Sequence, residues 1–329
     1  MRVAVLGSGA MGAIFGSFFA RSGAEVVFYD NRSDVVEAIV RKGLVLEGLL
    51  GTRTAHFMAT NIVAELGEID LALVLVDSGA TVEVADVAAG CLSKSGCALT
   101  LQNGIGNWEA LAARLGQGRV LAGSTYNSGA GLGPGHARHT NLGPTVIGEI
   151  DGGISKRVHE IGELLRTAGL PVEITNNIQG HIWSKFVHNC AINPVSALTG
   201  LRPGEIARTR PAASLLDRIV DEVLAVVEAV GIDLPEDDPR KHIRDHCWER
   251  YNRPSMLQHI ESGRRTEIDA LNGALVERAH AIDLPVPINE AIVFAVKSLE
   301  LSAGQRVLPL DEAALEEAAR KTPRGIAWG

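Results

Sequence analysis

The stretch "VLGSGAMGAIFG", Val5 to Gly16, decides how the N-terminal half folds. Gly7, Gly9 and Gly12 form G-x-G-x-x-G directly after the apolar run Val3–Leu6 and directly before a helical pattern. The first glycine permits a tight turn, the second lets the backbone approach a pyrophosphate, and the third lets helix pack closely on strand. The helix N-terminus then offers unpaired N–H groups and a partial positive charge to phosphates. Alone, such a pattern fits any flexible glycine loop; the strand before it and the helix after it give it meaning. Gly7, Ser8, Gly9, Ala10, Met11 and Gly12 are therefore candidate cofactor-binding residues.

Outward from this turn, apolar runs at Arg2–Leu6, Glu25–Tyr29, Leu71–Val76 and Ala98–Leu101 read as strands. Helical patterns at Ala10–Arg21, Ser33–Lys42 and Ala80–Leu92 lie between them. Such alternation predicts an α/β fold with a parallel, doubly wound sheet of Rossmann type. Leu44–Phe57 reads as a small inserted hairpin, and residues 119–149 as two or three antiparallel strands extending the sheet. After about Thr175 strand signals vanish. Helical spacing runs through Ile178–Leu198, Ala212–Val230, Arg240–Glu249, Thr266–Ala281 and Ile288–Glu300. The expected organisation is a dinucleotide-binding domain, 1–175, followed by an all-helical domain for substrate binding and dimerisation, 176–329.

The chain has 329 residues, 46% hydrophobic and 21% charged, with a formal net charge of −8. That balance suits a globular protein with a sizeable core and argues against a nucleic-acid partner. Cys91, Cys97, Cys190 and Cys247 show no metal-ligand spacing and read as reduced, buried thiols, so no metal is expected. No stretch approaches the ~20 uninterrupted apolar residues of a membrane span, and the start lacks signal-peptide features. A cytoplasmic protein without a membrane partner is the expectation. The broad apolar faces of "IVDEVLAVVEAVGI" raise the expectation of a homodimer through the helical half.

The second strand ends in "VVFYDNRSD". Asp30 follows Gly12 at the distance where a carboxylate receives hydrogen bonds from an adenosine ribose, which leans the cofactor toward NAD. Arg32 is the kind of group that welcomes the 2′-phosphate of NADP instead, and Asn31 lies between them. A plain turn role for Asp30 remains the alternative.

Three further stretches carry polar residues in apolar settings: "LQNGIGN" (Leu101–Asn107), "WSKFVHNCAINPVSALTG" (Trp183–Gly200) and "SMLQHIESGRRTEIDALNG" (Ser255–Gly273). Asn103 follows a strand, at the sheet edge where cofactors lie. Lys185, Asn189 and Asn193, spaced i, i+4, i+8, share one helical face, where a cation and two amides are costly to bury unpaired. Glu267 sits in an apolar-spaced helix as a partner for the lysine or for a substrate hydroxyl. His181, His188 and His259 pair with nothing by spacing and read as packing or rim residues.

Together with the glycine turn, these segments resemble the ketopantoate reductase family (2-dehydropantoate 2-reductases), from Met1 to about Glu300. The resemblance implies a Rossmann domain, a helical domain and an active site in the cleft between, reducing 2-dehydropantoate to pantoate, usually with NADPH. It implies that Lys185 is the catalytic proton donor and that Glu267 orients it and binds the substrate's hydroxyl. Asn103 matches the amide near nicotinamide and lysine. Asn189, Asn193, Asn252 and Ser255 match positions that hold the substrate's hydroxyl and carboxylate. Two departures bear on cofactor and substrate charge: Asp30-Asn31 stand where the family commonly has an arginine. Asp77, in "LVLVDS", stands where it commonly has a lysine. Two other readings follow: an NAD-linked dehydrogenase of another small hydroxy acid or polyol acid, and a dinucleotide sensor without turnover.

Overall fold

The computed structural model describes residues 1–49 and 51–305. The expected end of the helical half at Gly329, and most of the tail from Ser302, lie outside those residues. The N-terminal part begins β1 (Arg2–Leu6), α1 (Ala10–Arg21), β2 (Glu25–Tyr29), α2 (Ser33–Lys42), as the sequence predicts. Short strands β3 (Leu44–Gly48), β4 (Arg53–Ala55) and β5 (Met58–Thr60) follow, then β6 (Ile69–Val74), α3 (Thr81–Cys91), β7 (Leu92–Thr100) and α4 (Asn107–Leu115). The remaining elements of this part are β8 (Val120–Thr125), β9 (Ser128–Gly133), β10 (His136–Asn141), β11 (Thr145–Glu149), α5 (Lys156–Thr167) and β12 (Val172–Ile174).

The main sheet runs β12-β11-β8-β7-β6-β1-β2-β5. From β5 across to β8 every pairing is parallel, while β11 returns antiparallel beside β8. Val3, Ala4, Val5 and Leu6 are fully buried because helices cover both faces of a parallel sheet. The chain's winding reverses between β1 and β6. Ligands of open α/β sheets bind in the crevice at the carboxyl ends of such strands.

One expectation is corrected. Of residues 119–149, only β8 and β11 belong to the main sheet; β9 and β10 leave it. They join the β3–β4 hairpin in a second sheet of order β4-β3-β10-β9, with β3 and β10 parallel. The reason lies in the side chains. Along β10, Ala137 and His139 are buried while Arg138 and Thr140 are exposed, an alternation suited to a sheet with one covered face. That face lies on α1, where His139 meets Phe18 edge-on at 6.0 Å.

Helices dominate the rest: α6 (Ile178–Thr199), α7 (Pro203–Arg208), α8 (Arg210–Ala229), α9 (Pro239–Glu249), α10 (Ser255–Glu261), α11 (Ala274–His280) and α12 (Pro287–Gln305). The continuous helix expected over 266–281 is instead a π-helical turn, Asp269–Gly273, leading into α11. Asn177 caps α6, its side chain accepting from the Gly180 N–H at 3.0 Å, and Gly200 ends it in the left-handed conformation. α6 is buried around most of its circumference, as a helix apolar on nearly all sides must be. The apolar face of α8 that raised the dimer expectation is taken up within this core: Ile219, Val220, Val223, Val226 and Val227 are all buried. All four cysteines are free and buried. Among the described residues, no helix is long and apolar enough to cross a membrane.

His188 of α6 packs edge-on against His242 and His246 of α9, each ring centroid 5.0 Å away. Burial, then the neighbouring imidazoles, depresses its pKa to about 3; burial also takes His246 down to about 4. A histidine held neutral when folded stabilises fully above its ordinary value and loses that contribution as pH falls toward the folded value. His188→Leu should therefore narrow the stability gap between pH 7 and pH 4.5 by about 2 kcal/mol. Urea unfolding at both pH values measures it; an unchanged gap would place the acid sensitivity elsewhere.

Candidate active site

The glycine turn is shaped by two close approaches and one opening. Gly7 has φ +98°, and a Cβ there would come within 2.9 Å of the Leu75 backbone. A Cβ on Gly12 would lie 2.0 Å from the Gly7 carbonyl oxygen. Gly9 differs: a Cβ there would meet nothing within 4 Å, so the turn is open to a ligand at that point. α1 starts at Ala10 with no side-chain cap and no acidic residue in its first turn, leaving its N–H groups and positive dipole end free. These residues fit a dinucleotide's pyrophosphate.

Asp30 is buried and engaged. Its Oδ2 accepts the Ser8 N–H at 2.9 Å, and its Oδ1 accepts the Arg32 N–H at 3.1 Å and Arg32 Nε at 3.4 Å. The carboxylate thus ties the glycine turn to the tip of β2, as in the turn role the sequence left open. Asn31 and Arg32 stay exposed beside it.

Across the sheet edge, the loop after β7 carries Asn103. Ser78 Oγ and Asn107 Nδ2 both donate to its carbonyl oxygen at 2.9 Å, which fixes the loop. Gly104, at φ +87°, lets this loop reach the π turn; a Cβ there would lie 2.5 Å from the Ala270 carbonyl oxygen. That approach brings Asn103 Nδ2 to Glu267 Oε2 at 3.3 Å. Glu267 lies in the bend just before the π turn rather than within a helix. Burial raises its pKa and Asp77 adds to the rise, while the Asn103 bond and the charge of Lys185 oppose it. Asp77 is exposed and sits at the start of the turn Ser78–Ala80.

Lys185 projects from α6 toward the end of β8, where its Nζ donates to the Thr125 carbonyl oxygen at 2.6 Å. Burial depresses its pKa to about 8, and Glu267 resists the shift. The two make no ion pair within 4.0 Å among the described residues. One and two turns on, Asn189 is half-buried and Asn193 buried. α10 packs against α6 and begins at Ser255, half-buried; Asn252 is exposed in the preceding loop and makes no hydrogen bond to Lys185 or Glu267.

Asn272 is a residue that sequence reasoning passed over. Pro194 lacks the N–H that would bond the Cys190 carbonyl inside α6. Asn272 Nδ2, buried in the π turn, supplies it from outside at 3.0 Å and also donates to Asn289 Oδ1 at 2.9 Å. Glu267 and Lys185 are thereby held on mutually anchored elements. The proline inside an otherwise helical pattern was the signal available.

The chain matches the family model described as Ketopantoate reductase PanE/ApbA over residues 3–152, and its C-terminal counterpart over 177–300. It is 33% identical over 306 residues to a 2-dehydropantoate 2-reductase of Pyrococcus horikoshii, covering 92% of this chain and 99% of that protein. A 2-dehydropantoate 2-reductase of Archaeoglobus fulgidus is 31% identical over 300 residues, covering 91% and 98%. Among solved structures, a PanE/ApbA family ketopantoate reductase from Ralstonia eutropha JMP134 superposes with a TM-score of 0.84 at 33% identity, over 92% and 99% of the two chains. A D-mandelate dehydrogenase with NADH and anilino(oxo)acetate shares the fold at 23% identity, TM-score 0.84, over 92% and 99%. An open glycine turn at the sheet edge, the Asn103–Glu267 contact with Lys185 close by, and these matches along nearly the whole described chain place it in the ketopantoate reductase family.

Proposed function

We propose that this enzyme reduces 2-dehydropantoate to pantoate with a nicotinamide dinucleotide, in the cleft between its two parts, divided near residue 175. The observation that carries the reading is Lys185, an ammonium of lowered pKa, close enough to the Asn103–Glu267 pair that it and Glu267 feel each other's charge. Gly7 to Gly12 would hold the dinucleotide's pyrophosphate, and its reduced nicotinamide would supply the hydride when bound. Lys185 donates a proton to the substrate's carbonyl oxygen and stabilises the negative charge that develops there. Glu267, fixed by Asn103, accepts the substrate's hydroxyl. Asn189 and Asn193, with Ser255 and Asn252 at the rim, hold the hydroxyl and carboxylate. A sensor without turnover has no need of a proton donor.

For the dinucleotide we favour NADP, against the lean toward NAD drawn above from Asp30. Asp30 has both oxygens engaged and its charge opposed by Arg32, while Arg32 stays 60% exposed at the tip of β2. Arg32→Ala should raise KM for NADPH about tenfold and leave that for NADH unchanged. Steady-state reduction of 2-dehydropantoate with NADPH and NADH in parallel tests both points. Absence of turnover with either, with dinucleotide still bound, would move the reading to an NAD-linked hydroxy-acid oxidation; Asp77 in the cleft is the observation favouring that second reading.

A further inference from the structure

The contact that anchors the Lys185 ammonium is a backbone carbonyl, and a carbonyl aims only as well as its strand end is held. Thr125 is the last residue of β8, where the chain leaves the main sheet for the second one. Around it lies a closed set of buried polar groups: Thr125, Asn127, His139 and Thr145. Thr125 Oγ1 and Thr145 Oγ1 are 2.8 Å apart across the β8–β11 pair. Asn127 donates to Thr125 Oγ1 from its backbone N–H at 3.1 Å and from Nδ2 at 3.0 Å. The same Nδ2 reaches the Gly143 carbonyl oxygen at 2.8 Å and Thr145 Oγ1 at 3.2 Å.

His139 closes the set from β10, its Nε2 lying 3.1 Å from Asn127 Oδ1. For the amide and the imidazole one arrangement of protons satisfies these contacts, while the threonine pair can donate in either direction. The Asn127 amide must turn its NH2 to Gly143, since its oxygen there would face another acceptor. Its Oδ1 then faces His139, so Nε2 carries the imidazole proton and Nδ1 is left bare. Burial lowers the pKa of that imidazole against the pull of the Asn141 backbone, and its Nδ1 is buried without a hydrogen-bond partner. The network serves no purpose in the hydride chemistry itself. Through the Thr125 carbonyl it reaches Lys185.

We propose that Asn127, held in place by His139, is the positioning residue of the active-site lysine: it locks the end of β8 so that the Thr125 carbonyl fixes the Lys185 ammonium against the cleft. This rests on the reading of Lys185 as proton donor. The second sheet then has a role in the reaction although it lies on the far side of α1, because β10 carries the histidine that sets the amide.

Asn127→Ala and the isosteric Asn127→Asp both remove the donor to Gly143. Each should lower kcat on the order of tenfold, with KM for the dinucleotide unchanged. His139→Gln keeps a donor toward Oδ1 and should restore most of the activity lost in His139→Leu. Losing its acceptor in a buried setting, Lys185 should titrate lower by about half a unit or more. That titration is read without turnover, from the pH dependence of Lys185 acetylation by acetic anhydride, followed by peptide mass spectrometry on protein shown to be folded by its melting curve. An unchanged Lys185 titration in Asn127→Ala would overturn the proposal. So would equal damage from His139→Gln and His139→Leu. If wild-type protein fails to reduce the keto acid while the Lys185 titration still shifts in the variants, the positioning stands and the proposed reaction falls.

Discussion

Lys185→Ala should lower kcat for keto-acid reduction by about 10²-fold or more, while dinucleotide affinity and melting temperature stay near wild type. On the proposed reading one ammonium supplies proton transfer and stabilisation of the developing oxyanion as a unit, and losing that unit is worth about 10² or more. Dinucleotide affinity should be spared because, on the proposed reading, the glycine turn and not the lysine would hold the pyrophosphate. Stability should be spared because a lysine whose pKa burial has pushed down to about 8 is a cation the fold tolerates rather than favours. The pH dependence gives the sign. Reduction needs the ammonium, so kcat/KM of the wild type should be level below about 8 and fall above it. Oxidation of the product needs the free amine and should rise through the same range. Lys185→Arg keeps the positive charge but cannot release a proton at these pH values, so it should lose the alkaline limb without regaining full rate. Stopped-flow and steady-state assays across pH 6 to 10 measure each. A Lys185→Ala enzyme with wild-type kcat would remove the lysine from the mechanism.

Much of this arrangement was legible in the sequence, for a physical reason in each case. The turn Gly7–Gly12 was readable because steric need makes glycine obligatory there: a Cβ on Gly12 collides with the Gly7 carbonyl. Lys185, Asn189 and Asn193 were readable because helical periodicity alone puts them on one face. Glu267 was picked out as a carboxylate, but its setting was misread, since periodicity does not distinguish an α-helix from a π turn that shifts the register. Asp30 shows the opposite limit. Its position was read correctly, yet its free valence depends on where the Ser8 and Arg32 N–H groups point, and that is set by tertiary folding. The second sheet escaped because residues 119–149 read as strands but not as partners: "HARHTN" pairs with β3 across about ninety positions, which no local pattern reports. Backbone acceptors such as Thr125 O are invisible to any reading of side-chain types.

Asn272→Leu should destabilise the helical half by about 3 kcal/mol, because it leaves two buried oxygens, the Cys190 carbonyl and Asn289 Oδ1, each without its donor. Cys190 O lies in α6 opposite Pro194, which has no N–H to give it, and Asn272 Nδ2 is the donor in its place. Asn289, the second partner, is itself tied to Glu222 Oε2 at 2.7 Å, so the loss spreads across the packing of α6, α8, the π turn and α12. The missing proline N–H makes the prediction sharper than a single substitution allows. Pro194→Ala restores a donor four residues after Cys190, the spacing of an α-helical bond. In wild-type protein that donor competes with Asn272 and should change little. In Asn272→Leu protein it meets a carbonyl with nothing else to bond, and should recover about 1 kcal/mol. The four proteins form a double-mutant cycle read by urea unfolding. Additive effects would mean the carbonyl finds water instead, and that Asn272 stabilises through packing alone. A measured coupling together with a fall in kcat in Asn272→Leu, partly restored in the double variant, would show that one hydrogen bond across α6 holds Glu267 in register with Lys185.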